Sequence, residues 1–283
     1  MKIPDGSYLK KGFDDELVYI ISSEKINECI KFINDNNIKH LEIADAYYQV
    51  EDLNFLKECV DVENLTIHNH YIKSAHGIYS LRNLKYLSHG EYNNAEIDFN
   101  NLNSIERLYL FWNKKINGIE SLENLKKLFM WKYKPKNGNF DNLSNLKKLE
   151  YFFLTQSNLK TLDGIGNLKN LSYLELNYHR SLTDLGNIGE LKDSLKQLEI
   201  TSCKKIENYY KLCELMSLES CIVSNCGDIP SIGFASHLKN LKHFTFLGTN
   251  VIDGDMNPCF GIDYVYFNDK KHYSHKRKTF KNS

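Results

Sequence analysis

The chain has 283 residues, enough for one large domain or two ordinary ones, and its 42% apolar and 25% charged composition is that of a globular protein with a real core. Its 36 basic and 36 acidic residues cancel, which excludes a surface that traps nucleic acid or anionic membrane by charge alone. Seven cysteines, an odd count with no C-x-x-C pair, argue against a disulfide framework or zinc knuckle and predict a reducing, cytoplasmic setting.

From the N-terminus, "MKIPDGSYLKKGFDDELVYII" has no long apolar stretch before a small-residue cleavage site, so no signal peptide is expected. No apolar run approaches the ~20 residues of a membrane helix. "ELVYII" predicts a strand and "EKINECIKFINDN" a helix, together an N-terminal cap over about 1–37. From there one frame recurs, apolar-x-x-apolar-x-apolar: "IKHLEI", "VENLTI", "IERLYL", "LKKLFM", "LEYFFL", "LSYLELN", "LKQLEI", "LESCIV", "LKHFTF" and "IDYVYF", with "LKYLSH" a weaker copy that puts His89 in the last apolar position. The middle apolar residues fall at 41, 65, 87, 108, 128, 152, 174, 198, 221, 244 and 265, in steps of 20 to 24 residues.

These copies resemble the leucine-rich repeat family, in short repeats of bacterial or cytosolic type. The resemblance implies an α/β solenoid over 38–267, a curved horseshoe with a concave parallel sheet and short helices, 3₁₀ turns and loops on the convex side. Elementary packing agrees: a strand with three core residues cannot bury its apolar face alone, but stacked copies share one core. Eleven strands ~4.8 Å apart make a sheet of about 50 Å. Short convex helices are expected around "NFLKECV" and "YYKLCELM". The family places Asn or Cys five residues after the middle apolar residue. "NKKI", "CKKI" and "CGDI" match with Asn113, Cys203 and Cys226, and His179, Ala46, His70, Tyr92, Tyr133, Ser157 and Thr249 stand there in other copies. Cys203 and Cys226 are thus turn residues, expected reduced. Residues 268–283 form a basic C-terminal tail whose final dozen residues are expected to fray.

No phosphate loop, dinucleotide fingerprint, nucleophile elbow or H-E-x-x-H occurs, so no catalytic residue, metal or cofactor is assigned and the chain is not expected to be an enzyme. His68 and His70 lack a second cluster to complete a metal site. Glu175 and Glu199 occupy equivalent outward positions on successive strands, a carboxylate pair with no recognisable nucleophile beside it.

The two tryptophans lie in "RLYLFWNKK" and "KLFMWKYK", where leucines alternate with aromatics. Side chains alternate across a strand. If Leu108 and Leu110 face the core, Tyr109 and Phe111 face outward. The same phase sets Phe129, Trp131, Tyr151, Phe153 and Tyr173 outward, with Trp112 at a strand exit, Arg107 and Lys127 on one border, and Glu175 and Glu199 on the other. An aromatic centre with a charged rim has the composition of a protein-binding surface. The expected function is non-enzymatic recognition of a protein partner through this face. An immunity-type inhibitor that occludes a toxin or enzyme is one alternative, and a regulatory or scaffolding subunit of an enzyme such as a phosphatase is another. Self-association through the patch, or its cover by a loop or the tail, stays open. No nucleic acid or membrane partner is expected.

Overall fold

The computed structural model describes residues 3–12, 16–91, 93 and 95–280. Tyr92, assigned above to a turn, lies outside the described residues, as do 1–2, 13–15, 94 and 281–283. The architecture is a mostly parallel, many-stranded sheet with one short strand per repeat and 3₁₀ turns between, which is a leucine-rich-repeat arrangement. The chain divides into two compact units, Met1–Met130 and Trp131–Ser283.

In the first unit, Tyr8–Lys11 pairs antiparallel with Leu17–Ile20. All later pairings are parallel: Leu17–Ile20 with His40–Ala44, then Asn64–His68, Tyr86–His89 and Arg107–Phe111. The register puts Leu41, Leu65, Leu87 and Leu108 opposite one another. Leu108, Leu110, Leu128 and Met130 are fully buried while Arg107, Tyr109, Phe111 and Phe129 are half-buried on the other face, so the repeat phase read from the sequence is the phase of the sheet. One α-helix, Ile26–Asp35, covers the first core layer with Cys29, Ile30, Phe32 and Ile33, and Phe32 stacks on Tyr19 at 5.0 Å.

The connections are 3₁₀ turns because a repeat of this length leaves room for about one tight turn. Each closes on a buried residue whose N–H bonds three residues back: Cys59 to Leu56, Leu81 to Ile78, Leu102 to Phe99, Leu122 to Ile119. Successive turns touch backbone to backbone. A Cβ at Gly77 would lie 1.7 Å from the Leu53 carbonyl oxygen, so only glycine fits there.

In the second unit the parallel strands are Tyr151–Thr155, Tyr173–Asn177, Gln197–Thr201, Ser220–Ser224, His243–Phe246 and Tyr264–Phe267. The chain leaves successive strands through a residue in left-handed conformation: Lys132, Gln156, Tyr178, Ser202, Asn225, then Gly248. That turn aims each N–H at the next repeat, as in Gln156 to Asn177, Tyr178 to Thr201 and Ser202 to Ser224, all through carbonyl oxygens at 2.9 Å.

Two residues past the strand, or three after the shorter His243–Phe246, a side chain reaches back. His179 Nε2 donates to the Leu154 carbonyl (3.1 Å), Cys203 Sγ to Leu176 (3.6 Å), Cys226 Sγ to Ile200 (3.4 Å) and Thr249 Oγ1 to Val223 (2.8 Å). Three kinds of side chain, imidazole, thiol and hydroxyl, thus fill one role, satisfying a buried strand carbonyl of the preceding repeat. In the first unit the count slips. The buried turn residue is Asn69, donating to Tyr48 O at 2.6 Å, while His70 points outward to Asp45 at 2.6 Å.

The expectation that the tail frays is overturned for residues up to 280. Tyr273 and Phe280 are buried. The Tyr273 hydroxyl accepts from Val251 N–H (3.0 Å), Ser274 N–H donates to Gly254 O (2.8 Å), and Phe280 packs against Phe260 and Phe267. Arg277 lies 4.3 Å over the Tyr266 ring. Aromatic residues scattered among the lysines supply the apolar contact that the basic composition hides.

Candidate binding face

In each unit the face of the sheet turned away from the 3₁₀ turns carries the outward strand residues singled out above: Arg107, Tyr109, Phe111, Lys127 and Phe129 in the first, and Trp131, Tyr151, Phe153, Tyr173, Glu175 and Glu199 in the second. Trp112 follows the end of its strand and is half-buried.

In the first unit, Tyr109 and Phe129 stack at 4.1 Å with an interplanar angle of 11°. Tyr86 meets Tyr109 edge-on at 5.6 Å, His40 meets Tyr86 at 5.8 Å, and the Arg107 guanidinium stands 5.1 Å from the Tyr86 ring. Offset or edge contacts of this kind order the rings against one another. They line a cleft of about 700 Å³ whose wall also holds Lys127, Lys10, Glu16 and Glu42. Lys10 pairs with Glu42 at 2.7 Å, and Glu16 with His40 Nδ1 at 3.1 Å. Burial holds the His40 pKa below its usual value, with Glu16 opposing.

In the second unit, Trp131 and Phe153 lie 5.2 Å apart, and Tyr151 and Tyr173 stack at 4.1 Å within 5° of parallel. The Tyr173 hydroxyl lies 2.8 Å from Glu175 Oε2 and 2.9 Å from Glu199 Oε1, and Asn177 Nδ2 donates to Glu175 Oε1 at 2.6 Å. A phenol has one proton, so it donates to one carboxylate at a time. Burial raises the Glu199 pKa; the Tyr173 hydroxyl opposes this and the charge on Glu175 adds to it. The carboxylate pair expected from strand register is therefore real, and among the described residues its side-chain hydrogen-bond partners are the Tyr173 hydroxyl and the Asn177 amide. Among the described residues, no group of three or more His, Cys, Asp or Glu is placed to hold a metal ion, and no helix is long and apolar enough to cross a membrane.

Sequence reasoning missed the cleft wall. His40 stands in the same outward row as Tyr86 and Arg107, so the repeat frame holds a signal for it. Lys10 and Glu16 belong to the N-terminal hairpin, outside the frame, and nothing in the repeat pattern places them here.

No protein-family model matches the chain, and no curated protein matches it. Solved structures do. An internalin of Listeria monocytogenes (inlF) is 17% identical over 85% of this chain and 71% of its own, with a TM-score of 0.62. A second Listeria internalin, C2, is 16% identical over 75% and 84%, with a TM-score of 0.47. The leucine-rich-repeat ectodomain of a plant membrane receptor kinase from Arabidopsis thaliana is 17% identical over 84% of this chain and 31% of its own, with a TM-score of 0.49. The chain has the leucine-rich-repeat fold.

The cytoplasmic placement drawn from the cysteines is corrected: the structure that shares this fold at a TM-score of 0.62 is an internalin. The physical reason is burial. All seven cysteines are free, and all but Cys213 are buried. Burial pushes the thiols of Cys59, Cys203, Cys221 and Cys259 up to about 12. A thiol so placed forms little thiolate and stays unreactive wherever the protein resides. Free cysteines here record core packing, not redox compartment.

Proposed function

We propose that the chain is a non-enzymatic recognition module that binds a protein partner through the aromatic open face of its sheet. The observation that carries this reading is the pair of ordered aromatic groups, Tyr86–Tyr109–Phe129 in one unit and Trp131–Phe153 with Tyr151–Tyr173 in the other. They pack against one another, half-buried, and charged residues rim them. Large, rigid, amphipathic side chains that lose little entropy on contact are the usual anchors of protein interfaces.

The test contrasts two residues of one strand. With the chain as bait in native extract, Trp131→Ala is expected to cost the captured partner about 2 kcal/mol, roughly thirtyfold in affinity. Because Trp131 also packs on Phe153, a stability loss of about 1 kcal/mol is expected with it. Leu128→Ala, fully buried, is expected to cost about 2–5 kcal/mol of stability through a core cavity. A folded Trp131→Ala protein that captures its partner at full strength places the binding surface elsewhere.

A further inference from the structure

The charges of the first unit's cleft do not balance. Its two carboxylates are each committed: Glu42 to Lys10 at 2.7 Å and Glu16 to His40 at 3.1 Å. Arg107 and Lys127 are not. Neither makes an ion pair with a described residue, and Arg107's contact is with the Tyr86 ring. Other lysines of this unit behave differently. Lys39 and Lys85 both pair with Glu63, at 3.6 and 2.7 Å, and Lys126, the neighbour of Lys127, pairs with Glu106 at 2.8 Å. The repeat supplies glutamates to neutralise cations along that edge, and supplies none to the two that face the cleft.

Arg107 and Lys127 begin the successive strands Arg107–Phe111 and Lys127–Trp131. Adjacent strands are about 4.8 Å apart, so the two side chains converge on one stretch of the cleft. Beside them runs the row of rings from Tyr86 through Tyr109 to Phe129. A guanidinium and an ammonium over an aromatic floor suit a carboxylate attached to an apolar or aromatic chain.

Resting on the recognition role above, we propose that this cleft binds an acidic segment of the partner protein, with Asp or Glu carboxylates on Arg107 and Lys127 and neighbouring side chains on the Tyr109–Phe129 stack. Single-stranded nucleic acid also pairs cations with stacked rings. The cleft disfavours it, because Glu16 and Glu42 stand in the same wall and would face a phosphate chain.

The test uses the full chain and fluorescence anisotropy with labelled peptides of about ten residues, the length an extended strand needs to cross several repeats. The probes alternate Glu–Tyr, Gln–Tyr and Lys–Tyr, and an oligothymidylate of equal length is the fourth. The Glu–Tyr peptide is expected to bind about tenfold or more tighter than the Gln–Tyr peptide. Its affinity is expected to fall with added salt. Arg107→Gln with Lys127→Gln is expected to erase the difference between the two peptides, while Lys126→Gln, whose charge is already paired, preserves it. Circular dichroism checks that each variant folds.

Equal binding of the Glu–Tyr and Gln–Tyr peptides, or a preference untouched by the double substitution, overturns the acidic specificity and leaves the aromatic recognition role standing. Tighter binding of the oligothymidylate than of the Glu–Tyr peptide overturns it in favour of nucleic acid. Failure of every peptide, with partner capture still sensitive to Trp131→Ala, overturns the cleft as the contact. Loss of that sensitivity as well removes the recognition role itself.

Discussion

His89 sits where neighbouring strands hold Ile67 and Leu110. It is 1% exposed, and neither ring nitrogen has a hydrogen-bond partner among the described residues. The Asn93 amide lies nearby without forming the bond, and burial dominates, pushing the imidazole down to about 4. The folded value is below the unfolded one, so the unfolded chain takes up the proton first as pH falls. Stability is therefore full above the ordinary histidine value near 6.5 and declines between there and about 4, by about 3 kcal/mol for a shift of this size. His89→Leu is expected to flatten that part of the stability–pH profile and to raise stability at neutral pH by about 1–2 kcal/mol. Denaturant unfolding at several pH values measures both. The substitution of a histidine for an apolar repeat residue was legible in "LKYLSH", and so was the approach of Glu175 to Glu199, because strand register follows from the repeat count. The role of Tyr173 in holding those carboxylates was not. It depends on which way a ring leans, and a periodic pattern carries no rotamer.

At the scale of the element, the repeat strands were legible, the hairpin strand Tyr8–Lys11 was not, and the turns were legible only in part. A strand's burial follows from alternation, and Leu108, Leu128, Phe152, Leu174 and Leu198 each stand where the frame puts them. The exit turn depends on backbone conformation, which is set by hydrogen bonds to the next repeat and not by residue type. That is why residues as unlike as Lys132, Gln156, Tyr178 and Ser202 share the left-handed region. It is also why counting five residues named His70 when Asn69 does the work. A left-handed conformation costs an ordinary residue about 1–2 kcal/mol. Gln156 is exposed and donates only its backbone N–H to Asn177. Gln156→Gly is expected to stabilise the fold by about 0.5–1 kcal/mol, and Gln156→Val to destabilise it by about 1 kcal/mol or more. Equal melting temperatures for all three proteins would mean the turn relaxes once its N–H bond is disturbed.

At the scale of the whole molecule, an open-ended repeat array needs closure at each end. The C-terminal residues provide it for the second unit, through Tyr273 beneath Val251 and Phe280 against Phe267. Deleting residues 272–283 is expected to cost about 3–5 kcal/mol, the scale of losing a buried aromatic, and to lower the melting temperature of the second unit. A truncated protein that melts like the full chain would show these contacts to be idle. The central claim, that recognition runs through the open face of the sheet, is tested most directly by hydroxyl-radical footprinting of the chain with and without its captured partner, read by mass spectrometry. Protection is expected at Tyr109, Phe129, Trp131, Phe153 and Tyr173. Tyr210 and Phe260, 69% and 54% exposed on the turn side, are expected to stay as reactive as before. Protection of Tyr210 and Phe260 with the sheet aromatics unchanged would contradict the account.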